Sequence, residues 1–247
     1  MSWGYGGYAP YESVATKKNK AKKKIAALRK KGKEISPVEI NGRTIAKSWW
    51  GKAWNKNLAN YADFSNRLSR GRSYVTHGCV IDLQIDKNLI TAQIMGSGRS
   101  IYKAEIRIDS LKKNQWNKIK KMVKGNIGSL KELLTGKFPK EMDSILSNKK
   151  NGLFPAPKEF HPACDCPDYS KFCKHLAAVI YGIGNRLDAE PNLLFTLRGV
   201  NPNELVSKIV NEEKDNMISK AKNVKSKRVM NLKEKKLSKM FDINFTK

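Results

Sequence analysis

Acidic residues are scarce in this chain: Asp and Glu number 22 against 49 Lys and Arg, which leaves a formal net charge of +27. A surplus of that size repels itself unless a polyanion neutralises it, so the expected partners are acidic. Nucleic acid heads that expectation, with an anionic membrane surface second. Long apolar runs are missing too. No stretch of about 18 apolar residues occurs, so membrane insertion is not expected. The opening run MSWGYGGYAPYES has neither the basic start nor the apolar stretch of a secretory signal. Only 4 cysteines are present, too few for a disulfide framework and better suited to a reducing compartment, so a cytoplasmic location is expected. The length of 247 residues and 40% hydrophobic content leave room for one or two domains with a core.

What cysteine there is lies almost entirely in one place. The run ACDCPDYSKFCKH holds Cys164, Cys166, Cys173 and His175, the pattern CxCx6CxH. Zinc favours four nitrogen and sulfur donors in a tetrahedron, and a closed set of four leaves no position for water or substrate. One structural zinc ion is therefore expected. A disulfide between Cys164 and Cys166 would be strained. Iron–sulfur clusters more often use four thiolates. Pro167 and Asp168 suit the connecting turn, and Asp168 is placed to accept a hydrogen bond from a donor outside the ligand set. His161 is a candidate for the same outer layer. Zinc loss is expected to unfold this module while the strands of residues 79–108 stay paired.

Four segments are expected. Residues 1–46 form a basic extension, with Trp3, Tyr5, Tyr8 and Tyr11 among glycines and then a lysine-rich helix from about Thr16 to Lys31, ended by Gly32. Ile25, Leu28 and a few alanines make a stripe too narrow for a core, so that helix is expected to form on a partner. Residues 47–150 form an α+β domain. A helix capped by Ser48 carries Trp50, Trp54, Leu58 and Tyr61 at helical spacing. Three strands alternate apolar and polar residues, through Ile81, Leu83 and Ile85, then Ile90, Ala92 and Ile94, then Tyr102, Ala104, Ile106 and Ile108. Period two with one polar face predicts an antiparallel three-stranded meander, turning at Asp86-Lys87-Asn88 and at Gly96-Ser97-Gly98. A helical stretch from about Ser110 to Leu146 follows, with stripes at Trp116, Ile119 and Val123 and at Leu130, Leu133 and Leu134. Residues 151–200 hold the metal motif and a helix starting near His175. Residues 201–247 form a lysine-rich helical tail carrying Val224, Met230, Leu232 and Leu237.

The candidate phosphate contacts are Lys17, Lys18, Lys22, Lys23, Lys24, Arg29, Lys30 and Lys31 in the first segment. Arg70 and Arg72 join them from NRLSRGRSY, read as an arginine cluster around a glycine hinge, because arginine forks phosphates and stacks on bases. Arg67 and Arg99 belong with that group. The N-terminal aromatics are candidates for base stacking. Lysine carries little base-edge information, so contact is expected to be independent of sequence. No closed catalytic constellation is visible, and Cys173 and His175 are committed to the metal, so no enzyme is expected.

The run CDCPDYSKFCKHLAAVIY resembles the SWIM-type zinc finger, whose pattern is CxC, a variable gap and CxH. NGRTIAKSWWGKAW, NRLSRGRSYVTHGCVIDLQI, GLFPAPKEF and LLFTLRGV are similar to segments of bacterial SWIM proteins, over roughly residues 1–200. The resemblance implies a ββα finger with Cys164, Cys166, Cys173 and His175 as ligands, and DNA or protein binding as its generic role. The combined expectation is a non-catalytic protein that binds RNA, ribosomal RNA included, or DNA. A protein-interaction adaptor is the alternative.

Overall fold

The computed structural model describes residues 13–57, 65–96, 100–122, 142–148, 152–168 and 170–222. Trp3, Tyr5, Tyr8, Tyr11, Leu58, Tyr61, Ser97, Gly98, Arg99, Val123, Leu130, Leu133, Leu134 and the tail residues Val224, Met230, Leu232 and Leu237 lie outside the described residues. Two compact units are present, residues 1–207 and residues 208–247.

Helix α1 (Val14–Lys30) starts where Ser13 Oγ accepts the Thr16 N–H at 3.2 Å. It stops at Gly32, whose φ of 70° is the left-handed value that lets Lys33 N–H reach back to Leu28 O. The stripe that looks too narrow for a core in the sequence is buried in this structure. Ala21 is 2% exposed and Leu28 8%, both against the body of the protein. A narrow stripe suffices because Ala21 has no bulk to hold the backbone away. Beyond it, Val38 N–H donates to Val80 O and Leu83 N–H to Ser36 O. The body therefore begins near Ser36, earlier than its first predicted helix.

The sheet is the frame. Strands β1 (Val80–Asp86), β2 (Leu89–Met95) and β3 (Ile101–Ile108) form the predicted meander. A fourth strand, β4 (Phe160–Cys164), joins the open side of β3, so the antiparallel order is β1-β2-β3-β4. The predicted apolar positions Ile81, Leu83, Ile90, Ala92, Ile94, Ala104, Ile106 and Ile108 are buried, whereas Ile85 and Tyr102 are half-buried and Asp82, expected on the polar face, is buried beside a register shift in β1. The β1–β2 turn depends on Asn88 at φ 62°, whose Nδ2 donates to Ile108 O at 2.9 Å and Leu197 O at 3.2 Å.

Three helices complete the core. Helix α2 (Trp49–Asn57) starts at Ser48, whose Oγ accepts the Gly51 N–H. Helix α3 (Ser65–Thr76) follows. The long α6 (Lys174–Ala189) is buried on nearly every side, with Leu176, Ala177, Val179, Ile180, Ile183 and Leu187 all 2% exposed or less. The indole N–H groups of Trp54 and Trp50 donate to Ile180 O and Leu187 O of α6. Helix α3 corrects the expectation of a glycine hinge in NRLSRGRSY. Gly71 is a contact point: a Cβ there would lie 2.4 Å from Ala177 Cβ. Its lack of a side chain brings the two helix backbones together.

Helices α4 (Lys113–Met122), α5 (Asp143–Leu146), α7 (Leu193–Leu197) and α8 (Asn203–Lys222) follow in chain order. Trp116 Nε1 and Lys120 Nζ both donate to Glu204 Oε2 at 2.9 Å. Arg198, 1% exposed, donates to Asp109 O and Glu159 and so ties the end of α7 to the approach to β4. Among the described residues, no helix is long and apolar enough to cross a membrane.

Candidate metal centre

The end of β4 and the residues just after it deliver two ligands, and the start of α6 delivers the other two. Strand β4 places Cys164 opposite Ala104, on the face of the sheet that α6 covers. Asp165 then locks the chain: its N–H donates to Lys103 O, and its Oδ1 accepts the Lys103 N–H at 2.8 Å. That clamp fixes the direction in which Cys166 leaves the strand. Cys173 is the N-cap of α6, and its carbonyl accepts the Ala177 N–H. His175 sits one residue inside the helix and is 1% exposed. Two tyrosines hold its ring, Tyr102 at a centroid distance of 4.6 Å and Tyr74 edge-on at 5.3 Å.

His175 Nδ1 lies 4.0 Å from Cys164 Sγ and 3.9 Å from Cys173 Sγ. All four donor atoms fall within 4.8 Å of one another. A zinc tetrahedron with ordinary bond lengths has donor–donor edges of roughly 3.6–3.8 Å, so a small contraction closes the site. His175 Nδ1, which faces the two thiols, is the nitrogen that would hold the metal. Its Nε2 is buried with no hydrogen-bond partner among the described residues, where most metal-bound imidazoles donate to a carboxylate or carbonyl. Here the tyrosine rings orient the imidazole by packing instead.

The thiols are not equivalent. A hydrogen bond from the Cys164 thiol, with help from His175 and the Leu176 N–H at the helix start, holds Cys173 down to about 4. The same hydrogen bond, with burial, pushes the Cys164 thiol up, and burial raises that of Cys166. Cys173 is thus the thiolate of the set, and the other two would lose their protons to solvent as a metal binds. With all four donors engaged, a bound ion would have no open position and would serve to hold the fold.

The zinc finger family model described as SWIM zinc finger matches residues 147–182, which span β4, all four ligands and the first half of α6. The chain carries a SWIM zinc finger. Its four ligand residues are positioned to bind one zinc ion. The chain is also similar to the uncharacterized protein Rv2102 of Mycobacterium tuberculosis, 34% identical over 166 residues, or 67% of this chain and 60% of the relative. The chain thus spans less than two thirds of that relative's length. No solved structure matches.

The finger differs in detail from the expected ββα module. Among the described residues it contributes one strand and one helix, and the strand's partner is β3 of the preceding segment. Asp168 does accept from outside the ligand set, from Arg67 Nη2 of α3 at 2.9 Å. His161 does not serve the metal. It lies on the outer face of β4 and pairs with Asp109 at 3.0 Å. Tyr74 and Tyr102 escaped the sequence reading, since aromatic residues near a strand carry no mark of a metal site. Of the predicted phosphate contacts, Lys18, Lys22, Lys23, Arg29, Lys30 and Lys31 are exposed on or just after α1, and Lys17 and Lys24 are half-buried. Arg70 and Arg72 are exposed on α3.

Proposed function

We propose that this protein binds the phosphate backbone of RNA, ribosomal RNA among the candidates, or of DNA, and catalyses nothing. Zinc fixes the finger, the finger completes the sheet, and the sheet carries the cationic helix. One observation supports this above the others. Helix α1 holds Lys and Arg at 17, 18, 20, 22, 23, 24, 29 and 30 with no acidic residue, and it is docked on the body through Ala21 and Leu28. A rigid, one-signed helix presents its charge to a polyanion without first paying to order it. Each phosphate neutralised releases a counterion, so affinity falls steeply with salt. Anisotropy titrations with structured RNA and duplex DNA test this. A log–log salt slope equivalent to several phosphates is expected, and no binding at about 50 mM salt overturns it.

A protein-adaptor reading has its own support. Val210, Met217 and Ile218 of α8 are 46%, 68% and 43% exposed. That reading predicts one stoichiometric protein recovered by pull-down after nuclease treatment. Recovery only through nucleic acid removes it.

A further inference from the structure

We propose that the groove between α1 and residues 37–41 seats one nucleotide of a single strand, with its phosphates on the Lys18–Lys22 rim and its base on an apolar floor. The inference rests on the nucleic-acid reading above and adds the place and the strandedness. The groove has a volume of about 440 Å³. Lys18 and Lys22 stand one turn apart on α1, with Ala21 and Ile25 beneath them. Pro37, Val38 and Ile40 form the facing wall. Among the described residues that line it, the one acidic side chain is Glu39.

The far end is closed by the C-terminus of α3, at Thr76, His77 and Gly78. Gly78 has a φ of 68° and nothing within 4 Å of where a side chain would begin, so a planar group has room there. Burial, then the charges of Lys17 and Lys18, lower the pKa of His77 and keep its imidazole neutral. Its Nδ1 lies 3.3 Å from Ser73 Oγ, so Nε2 is the nitrogen that can donate to or accept from a base edge. A cationic rim over an apolar floor matches a nucleotide, which joins an anionic phosphate to a flat, weakly polar ring. A base in a duplex has both faces covered by its neighbours and cannot enter without leaving the stack. The occupant is therefore a single strand.

The test sets charge against shape. The full zinc-loaded chain is titrated at about 50 mM salt with a labelled oligothymidylate of about twelve nucleotides and with a duplex of the same length. The Ile25→Lys/Ile40→Lys variant adds positive charge while spoiling the floor. An occupied groove predicts at least about five-fold weaker binding of the oligothymidylate, with no loss for the duplex. Unchanged or tighter oligothymidylate binding overturns the groove and leaves the broader reading standing. A parent protein that binds neither ligand removes both. Photocross-linking of 5-iodouracil oligonucleotides to the unaltered protein needs no variant to fold. Adducts on residues 18–25, 37–41 or 76–78 are expected, and adducts confined to other segments overturn the proposal.

Discussion

The zinc-bearing strand and helix and the basic helix α1 are held to the same body by opposite means. Around the metal, β4 is paired along its length to β3, and α6 is enclosed by α2, α3 and the sheet. Helix α1 rests on Ala21 and Leu28, burial worth about 2–3 kcal/mol before the cost of ordering is counted. The first region is where the fold is decided. The second holds charge in position, and the protein loses little stability by carrying it. A surface meant for a polyanion gains nothing from being buried, whereas a metal site must exclude water to stay closed.

Removing a zinc ligand should show the contrast most sharply. Cys164→Ser or His175→Ala is expected to leave under half an equivalent of zinc by metal analysis. Structural zinc is worth about 10 kcal/mol, comparable to the whole stability of a domain. Because β4 belongs to the sheet and α6 covers it, the outcome expected from the fold is loss of the whole unit's cooperative melting transition. Survival of strands 79–108, as the sequence alone suggested, would show the finger to be separable after all. Gly71→Ala comes next. The added methyl meets Ala177 at 2.4 Å and backbone at 2.9 Å, which flexible side chains cannot relieve. A loss of about 3 kcal/mol is expected, roughly 10 °C in melting temperature with zinc still bound.

Deleting residues 1–34 reverses the pattern. The melting temperature should fall by only about 5 °C, while the salt slope of nucleic-acid binding flattens by several units. An unchanged slope would mean that the cations lie elsewhere. Zinc binding itself should release about two protons near neutral pH, since Cys164 and Cys166 start protonated and Cys173 does not. Calorimetry in buffers of different ionisation enthalpy counts them.

The smallest effect is at His77. Its folded-state pKa lies below the ordinary 6.5, by burial and then by Lys17 and Lys18, so the fold favours the neutral ring. Its contribution is complete above that value and is lost as the pH falls below it. Acidification from pH 7.5 to 5.5 should loosen α1, seen as faster amide exchange in residues 14–30. His77→Gln should remove that dependence.

Sequence legibility followed the range of the interactions. The zinc ligands were readable because all four lie within one short run, and donor chemistry marks them directly. The three meander strands were readable because alternation is written residue by residue. Strand β4 was not, because Phe160–Cys164 is short and is stabilised by Ile101–Ile108 some fifty residues earlier. Helix α3 was hidden by its glycine and serines, whose weak propensity is overridden by packing on α6.

On its own, then, the sequence determined a zinc-ready tetrad, an antiparallel meander and a large cationic excess, since each follows from side-chain chemistry or from spacing between near neighbours. Tertiary structure decided that the finger's strand completes the sheet, that two tyrosines hold the ligand histidine, and that the basic helix docks on the body. Those outcomes depend on surfaces brought together from distant parts of the chain, where burial and close approach, rather than local pattern, set the free energy.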